Sequence, residues 1–226
     1  MYFIEKNLTK LRNVGSTFFL DPKELNQVKS KLKKGEYNIY YPYRDSEKNI
    51  IYTGKEPEVL LYEILIKIPV RRQDIMGAMY SLNIATELFG DILIIDNRYF
   101  IYILPIVRNY FESNFLMVKN AHIELKELDI NYLKDYERSY EKLEFIVSSN
   151  RIDTVISSII HTGRSNINDY IKKKEILLNY DYLKDNSYKL KEGDTFSIKR
   201  IGKFKYNGII KNTKSNHIII EILKYL

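Results

Sequence analysis

Arg151-Ile-Asp-Thr-Val-Ile156 opens a stretch that runs through Arg164-Ser165, Ile171-Lys-Lys-Lys174 and Asn179 to Gly193-Asp194. Ile152, Val155, Ile156, Ile159 and Ile160 fall at i, i+3, i+4, i+7 and i+8, the apolar stripe of a buried helix face. Thr162 or Gly163 can start a second helix, in which Ile167, Tyr170 and Ile171 point inward. Arg164, Asn168 and Lys172 are four apart and share a different face, which Lys173 and Lys174 extend. Cations are favoured at a helix C-terminus, which accounts for Lys172 to Lys174, but Arg164 in the first turn opposes the dipole. Its placement therefore points to an anion-binding role.

Beyond Asn179 the period changes to two. Thr195, Ser197 and Lys199 alternate with Phe196 and Ile198, and Lys203-Phe-Lys-Tyr206 continues the alternation. Apolar residues go inward and lysines outward, so the reading is of a basic strand beside a basic helix. That combination suits phosphate contacts more than base readout, for which a recognition helix rich in Arg, Asn and Gln is expected.

Charge is segregated along the chain. Residues 148–226 hold 15 Lys and Arg against 8 Asp and Glu, whereas residues 1–147 hold 21 of each, so the whole net charge of +7 lies in the last third. A neutral body with one basic domain implies an anionic partner for that domain. The chain has no cysteine, which excludes a disulfide framework, a thiolate zinc site and a cysteine nucleophile. The start lacks a basic segment followed by an apolar run, and the most apolar stretch, Tyr99 to Val107, is far short of a membrane span. A cytoplasmic protein with no membrane partner is expected.

Upstream, Asp21-Pro-Lys-Glu24 is a helix-start signal: an Asp cap, Pro at the first position and an acid in the first turn. Leu25, Val28 and Leu32 follow at helical spacing, and Tyr37–Tyr41 and Asn49–Tyr52 read as strands joined by the polar turn Arg44-Asp-Ser-Glu47. From Leu61 the pattern is strand (61–69), helix (72–88), a hairpin (91–96 and 99–103) turned by Asn97-Arg98, helix (104–115) and strand (117–128). That βαββαβ order is the ferredoxin-like arrangement used by single-strand RNA readers. Arg98-Tyr-Phe-Ile-Tyr102 lacks the glycines of their signature strand, so its aromatics read as core packing. Asn131 to Leu143 reads as a charged connector, helical in part. The expected fold is α+β: an N-terminal α/β lobe (1–60), a ferredoxin-like, RRM-like middle lobe (61–137) and a basic C-terminal domain (145–226).

Arg151-Ile-Asp153, Arg164-Ser165, Ile171-Lys-Lys173, Asn179 and Gly193-Asp194 resemble the signature of the S-four RNA-binding domain, or alpha-L motif. Phe19-Leu-Asp-Pro-Lys-Glu24, Tyr41-Pro42, Asp74-Ile-Met-Gly77 with Ile84, and Phe89-Gly-Asp-Ile92 resemble the YlmH family of S-four-domain proteins, as do Arg200-Ile-Gly-Lys-Phe-Lys205 and Lys211-Asn-Thr-Lys214. The pattern departs from the family at four places. Lys174 stands at the usual glycine after the second helix, Gly163 at a usual serine, Arg72-Gln73 at His-Arg, and Ala85-Thr86 at a basic pair.

The resemblance implies a C-terminal S-four-type domain and a non-enzymatic, monomeric RNA-binding protein without cofactor. It implies rRNA and tRNA as partners on the large ribosomal subunit with peptidyl-tRNA, in rescue or quality control of stalled translation. The expected RNA-binding residues are Arg151, Arg164, Ser165, Asn168, Lys172, Lys173, Lys174, Asn179, Lys199, Arg200, Lys203, Lys205, Lys211 and Lys214. His122, His161 and His217 are scattered without a metal-ligand spacing, and no serine-nucleophile or phosphate-loop motif occurs, so no metal and no catalytic residue are expected. The rival expectations are an accessory to an RNA-modifying enzyme and a protein-interaction adaptor.

Overall fold

The computed structural model describes residues 2–213 and 217–225, which form an α+β structure of two compact units, Met1–Glu137 and Arg138–Leu226. Among the described residues no helix is long and apolar enough to cross a membrane.

The first unit opens with helix α1 (Tyr2–Val14), whose Leu8 and Leu11 are buried. Helix α2 (Pro22–Lys29) begins as its sequence dictates. Glu24 N donates to Asp21 Oδ1 at 2.8 Å and Asp21 N donates to Glu24 Oε2 at 3.0 Å, a reciprocal capping box with Pro22 at the first position. Strands β1 (Asn38–Tyr40) and β2 (Ile50–Tyr52) pair antiparallel. Then come β3 (Leu60–Ile66), α3 (Arg72–Ser81), β4 (Phe89–Ile95), β5 (Arg98–Ile103), α4 (Arg108–Asn114), β6 (Met117–Val118) and β7 (Ala121–Leu128).

These five strands form one sheet in the order β4-β5-β3-β7-β6, with the first strand of the pattern at its centre. The β4–β5 turn is Asp96-Asn97, one residue earlier than the sequence suggested. Both residues have positive φ (49° and 60°), the left-handed pair that a two-residue hairpin requires and Asn and Asp tolerate. Helix α3 stops at Ser81 rather than Leu88, because Asn83 takes φ 54° and a 3-10 turn (Thr86–Leu88) follows.

Strand β7 leaves His122, Glu124 and Lys126 exposed, but at β3, β4 and β5 both faces of this sheet are buried. On one, Tyr62, Ile64, Tyr99 and Ile101 pack against Ile75 and Met79 of α3 and Phe111 of α4. On the other, Leu61, Phe100 and Tyr102 pack against Phe19, Tyr43, Ile50 and Leu133. Residues 1–60 thus form the second layer over the sheet. Asp91, itself buried, fixes that layer by accepting from Tyr43 Oη at 2.6 Å and from Glu47 N at 2.8 Å.

The second unit begins with β8 (Tyr140–Val147), an edge strand where the sequence suggested a partly helical connector. Leu143, Phe145 and Val147 alternate into the core, and this period of two prevails over the surrounding Lys and Glu. Helices α5 (Ile152–Ile159) and α6 (Arg164–Lys172) follow, then β9 (Ile176–Leu178), β10 (Asp181–Tyr182), β11 (Thr195–Ile198), β12 (Gly202–Asn212) and β13 (Ile218–Tyr225). The six strands form a sheet in the order β10-β9-β11-β12-β13-β8. Ile152, Val155 and Ile156 of α5 and Ile167 of α6 pack on Phe196, Ile198, Phe204, Ile220 and Ile222, so both helices cover one face of it.

Candidate nucleic-acid interface

Helix α6 presents Arg164, Asn168 and Lys172 as an exposed stripe, with Ser165 beside it. Gly163 caps the helix without a side-chain bond, and the Arg164 guanidinium donates to Ser148 Oγ. At the other end Lys173 is the C-cap, Lys174 N donates to Ile171 O at 2.9 Å and Glu175 N to Tyr170 O at 2.9 Å. These are the two bonds of a Schellman motif, which places Lys174 in the left-handed region at φ 54°.

The end of α6 gathers charge from a distant part of the sequence. Ile176 pairs with Ile198, and Lys199 N donates to Glu175 O at 2.9 Å. The β11–β12 turn, with Arg200 at φ 68°, therefore sits beside the C-terminus of α6. Lys172, Lys173, Lys174, Lys199 and Arg200, all exposed, converge there. Five cations at the negative end of a helix dipole make a focus of positive potential suited to phosphate. A shallow groove runs along α6, lined by Asn168, Ile171, Lys172, Lys184, Asp185 and Asn186, where Asn186 Nδ2 donates to Asn168 Oδ1 at 2.7 Å. Lys184 and Asn186 escaped the sequence reading; the polar Lys184-Asp-Asn186 turn was their only signal.

Two expected RNA-binding residues have architectural duties. Arg151 donates through Nε and Nη2 to Asp153, whose carboxylate also accepts from Thr154 N at 2.7 Å. Burial alone would raise the Asp153 pKa, but the bonds from Arg151 and Thr154 outweigh it and hold the carboxyl below its ordinary range. Asn179, at φ 48°, donates to Asp194 Oδ1 at 2.8 Å and accepts from Thr195 N at 2.9 Å. Asp194 in turn accepts from Lys191 N at 2.8 Å. Asn179 and Gly193-Asp194 of the signature thus lock the strand pair to each other.

The expected basic helix beside a basic strand is divided by the sheet. Phe204 and Tyr206 face the helices, so Lys203 and Lys205 of the same strand lie on the opposite face. Lys211 is near the far end of β12, up to about 30 Å from Gly202 at the strand's start at roughly 3.3 Å per residue. Lys214 lies outside the described residues.

The middle lobe cannot use its sheet as a base-stacking platform. Phe100 and Tyr102 are 1% and 0% exposed, with Tyr43 stacked on Tyr102 at 5.9 Å. Baring Phe19, Tyr43, Ile50, Phe100 and Tyr102 costs about 2 kcal/mol each, roughly 10 kcal/mol in all, comparable with the stability of a whole domain. Four of its outer cations are paired: Arg98 with Glu63 at 2.7 Å, Arg71 and Lys119 with Asp74, and Arg108 with Glu112 and Glu127.

The basic cluster at the end of α6 is the chemistry of an anion-binding protein, and comparison with known proteins narrows it. Residues 66–132 match the family described as "Putative RNA-binding domain in YlmH". The chain is 22% identical over 213 residues to the "Ribosome-associated protein quality control protein P2" of Bacillus subtilis (strain 168), covering 88% of this chain and 83% of that one. It is also similar to the solved "Cell division protein ylmH from Streptococcus pneumoniae", at 19% identity and a TM-score of 0.49, over 59% of this chain and 93% of that one. The chain is similar to the YlmH family in its middle lobe, within which the matched putative RNA-binding domain falls. The residues singled out from sequence all lie in the other unit.

Proposed function

We propose that this chain is a non-enzymatic RNA-binding protein of the ribosome. It engages rRNA and tRNA on a large subunit carrying peptidyl-tRNA and serves the rescue of stalled translation. In this reading it is a cytoplasmic monomer, its middle lobe is a ferredoxin-like, RRM-like domain, and residues from about 145 form an S-four-type RNA-binding domain. The strand order β4-β5-β3-β7, with two helices on one face, supports the first assignment. Two helices followed by a strand pair locked through Asn179 and Asp194 support the second. The observation that carries the RNA-binding reading is the convergence of Lys172, Lys173 and Lys174 with Lys199 and Arg200 at one end of α6. The ribosomal part rests on the name of the Bacillus subtilis relative.

Sedimentation of a lysate through a sucrose gradient tests it. The protein is expected to travel with large subunits and to leave them as salt rises. A protein that stays at the top of the gradient while the purified chain still binds RNA contradicts the ribosomal role. Turnover of an RNA substrate contradicts the non-enzymatic one.

A further inference from the structure

The face of the C-terminal sheet turned away from the helices carries a transverse row that meets the α6 cation cluster only at Tyr182, over whose ring Lys174 Nζ lies at 5.6 Å. Cross-strand partners share a face, and the pairings Tyr182↔Leu177, Leu177↔Ser197, Ser197↔Lys203 and Tyr225↔Tyr140 run from β10 to β8. Phe204 pairs with Lys224, so Lys203 and Tyr225 are the next step of the same register and close the row. Strands lie roughly 4.8 Å apart, which makes it about 24 Å long. Charge and rings meet at its β12–β8 end, where the Arg138 guanidinium also lies 5.8 Å over the Tyr225 ring. Lys203 Nζ donates to Tyr180 Oη at 2.9 Å and lies 4.6 Å over the Tyr180 ring and 4.8 Å over Tyr225. The Tyr225 ring meets the edge of Tyr140 at 5.1 Å, and Tyr182 is 54% exposed.

We infer that this face binds a single-stranded segment of RNA, its bases stacking on the tyrosines and its phosphates meeting Lys203 and Lys205. The inference rests on the RNA-binding reading above and adds to it a second surface and the unpaired state of the ligand. Rings beside cations are what a single strand needs, because every base has a π-face and every nucleotide a charge. A duplex hides its bases and offers only the charge. A partly exposed cation–π contact is also weaker than base stacking, so Lys203 can yield a ring to a base and take the adjoining phosphate.

Fluorescence anisotropy of the full chain with labelled oligouridylate, and separately with a fully paired RNA hairpin, tests this. Tyr182→Leu and Tyr140→Leu are each expected to weaken oligouridylate binding roughly five-fold or more, with the salt slope and hairpin affinity unchanged. Tyr182→Phe and Tyr140→Phe, which keep the ring, are expected to bind as the parent does. Unchanged oligouridylate affinity in the leucine variants overturns the inference, as does equal weakening for both RNAs. A parent protein that binds the hairpin but not oligouridylate overturns this face alone; one that binds neither overturns the RNA-binding reading as well.

Discussion

Arg151 and Asp153 face each other across the first turn of α5, the guanidinium donating through Nε at 3.1 Å and Nη2 at 2.7 Å to the two carboxylate oxygens. Asp153 is buried at 4% exposure, so this fork is its main compensation for leaving water. Asp153→Asn is expected to destabilise the C-terminal unit by about 2 kcal/mol, read from its urea transition. Because the folded-state pKa is held below the unfolded value near 3.9, the stabilisation is complete above that value and is lost as pH falls through the folded one. Acid unfolding of the parent should therefore steepen below about pH 4, and the Asn variant should lack that component. Arg151→Ala should lower stability more than it changes the salt slope of RNA binding.

Gly90 is the close approach in the first unit. A Cβ there would stand 3.0 Å from the Phe19 ring and 3.0 Å from Tyr102 Cβ. Both neighbours are under 2% exposed and cannot retreat toward solvent. Gly90→Ala is expected to cost about 1–3 kcal/mol, measured as a lower denaturation midpoint of the first unit.

Lys174 holds a left-handed conformation at φ 54° that a Cβ penalises. Lys174→Gly is expected to raise the stability of the C-terminal unit by about 1 kcal/mol while reducing RNA affinity through removal of its charge. A glycine variant no more stable than the parent would contradict the strain assigned to that turn.

Legibility followed the range of the forces. Helix α2 was readable because Asp21, Pro22 and Glu24 form a local capping box, and α5 because its isoleucines keep a helical period. Helix α1 went unread although Ile4, Leu8 and Leu11 mark a stripe, since it has no capping signal and a polar composition. The covering of the middle sheet by residues 1–60 depends on Phe19, Tyr43 and Ile50 meeting Phe100 and Tyr102. Its one local sign was the unbroken apolar run Tyr99-Phe-Ile-Tyr-Ile-Leu104, which alternates less than a half-exposed strand would. The five-cation focus was half legible. Lys172 to Lys174 and Lys199-Arg200 stood out separately, but only the Ile176↔Ile198 pairing joins them. The period of two in Lys203-Phe-Lys-Tyr206 correctly sent the lysines outward. The helices pack on the apolar side, so the same period sets those lysines apart from α6.

The salt dependence of RNA binding by the chain carrying Arg164→Ala and Lys172→Ala tests the central claim most directly. Both side chains are exposed on α6 and the variant gives up the exposed Arg164–Ser148 hydrogen bond, so it should unfold within a few degrees of the parent's midpoint. Its log–log slope of affinity against salt should be shallower by roughly one unit for each phosphate that the variant no longer neutralises. A folded double variant with the parent's affinity and slope would contradict the assignment of RNA binding to the α6 face.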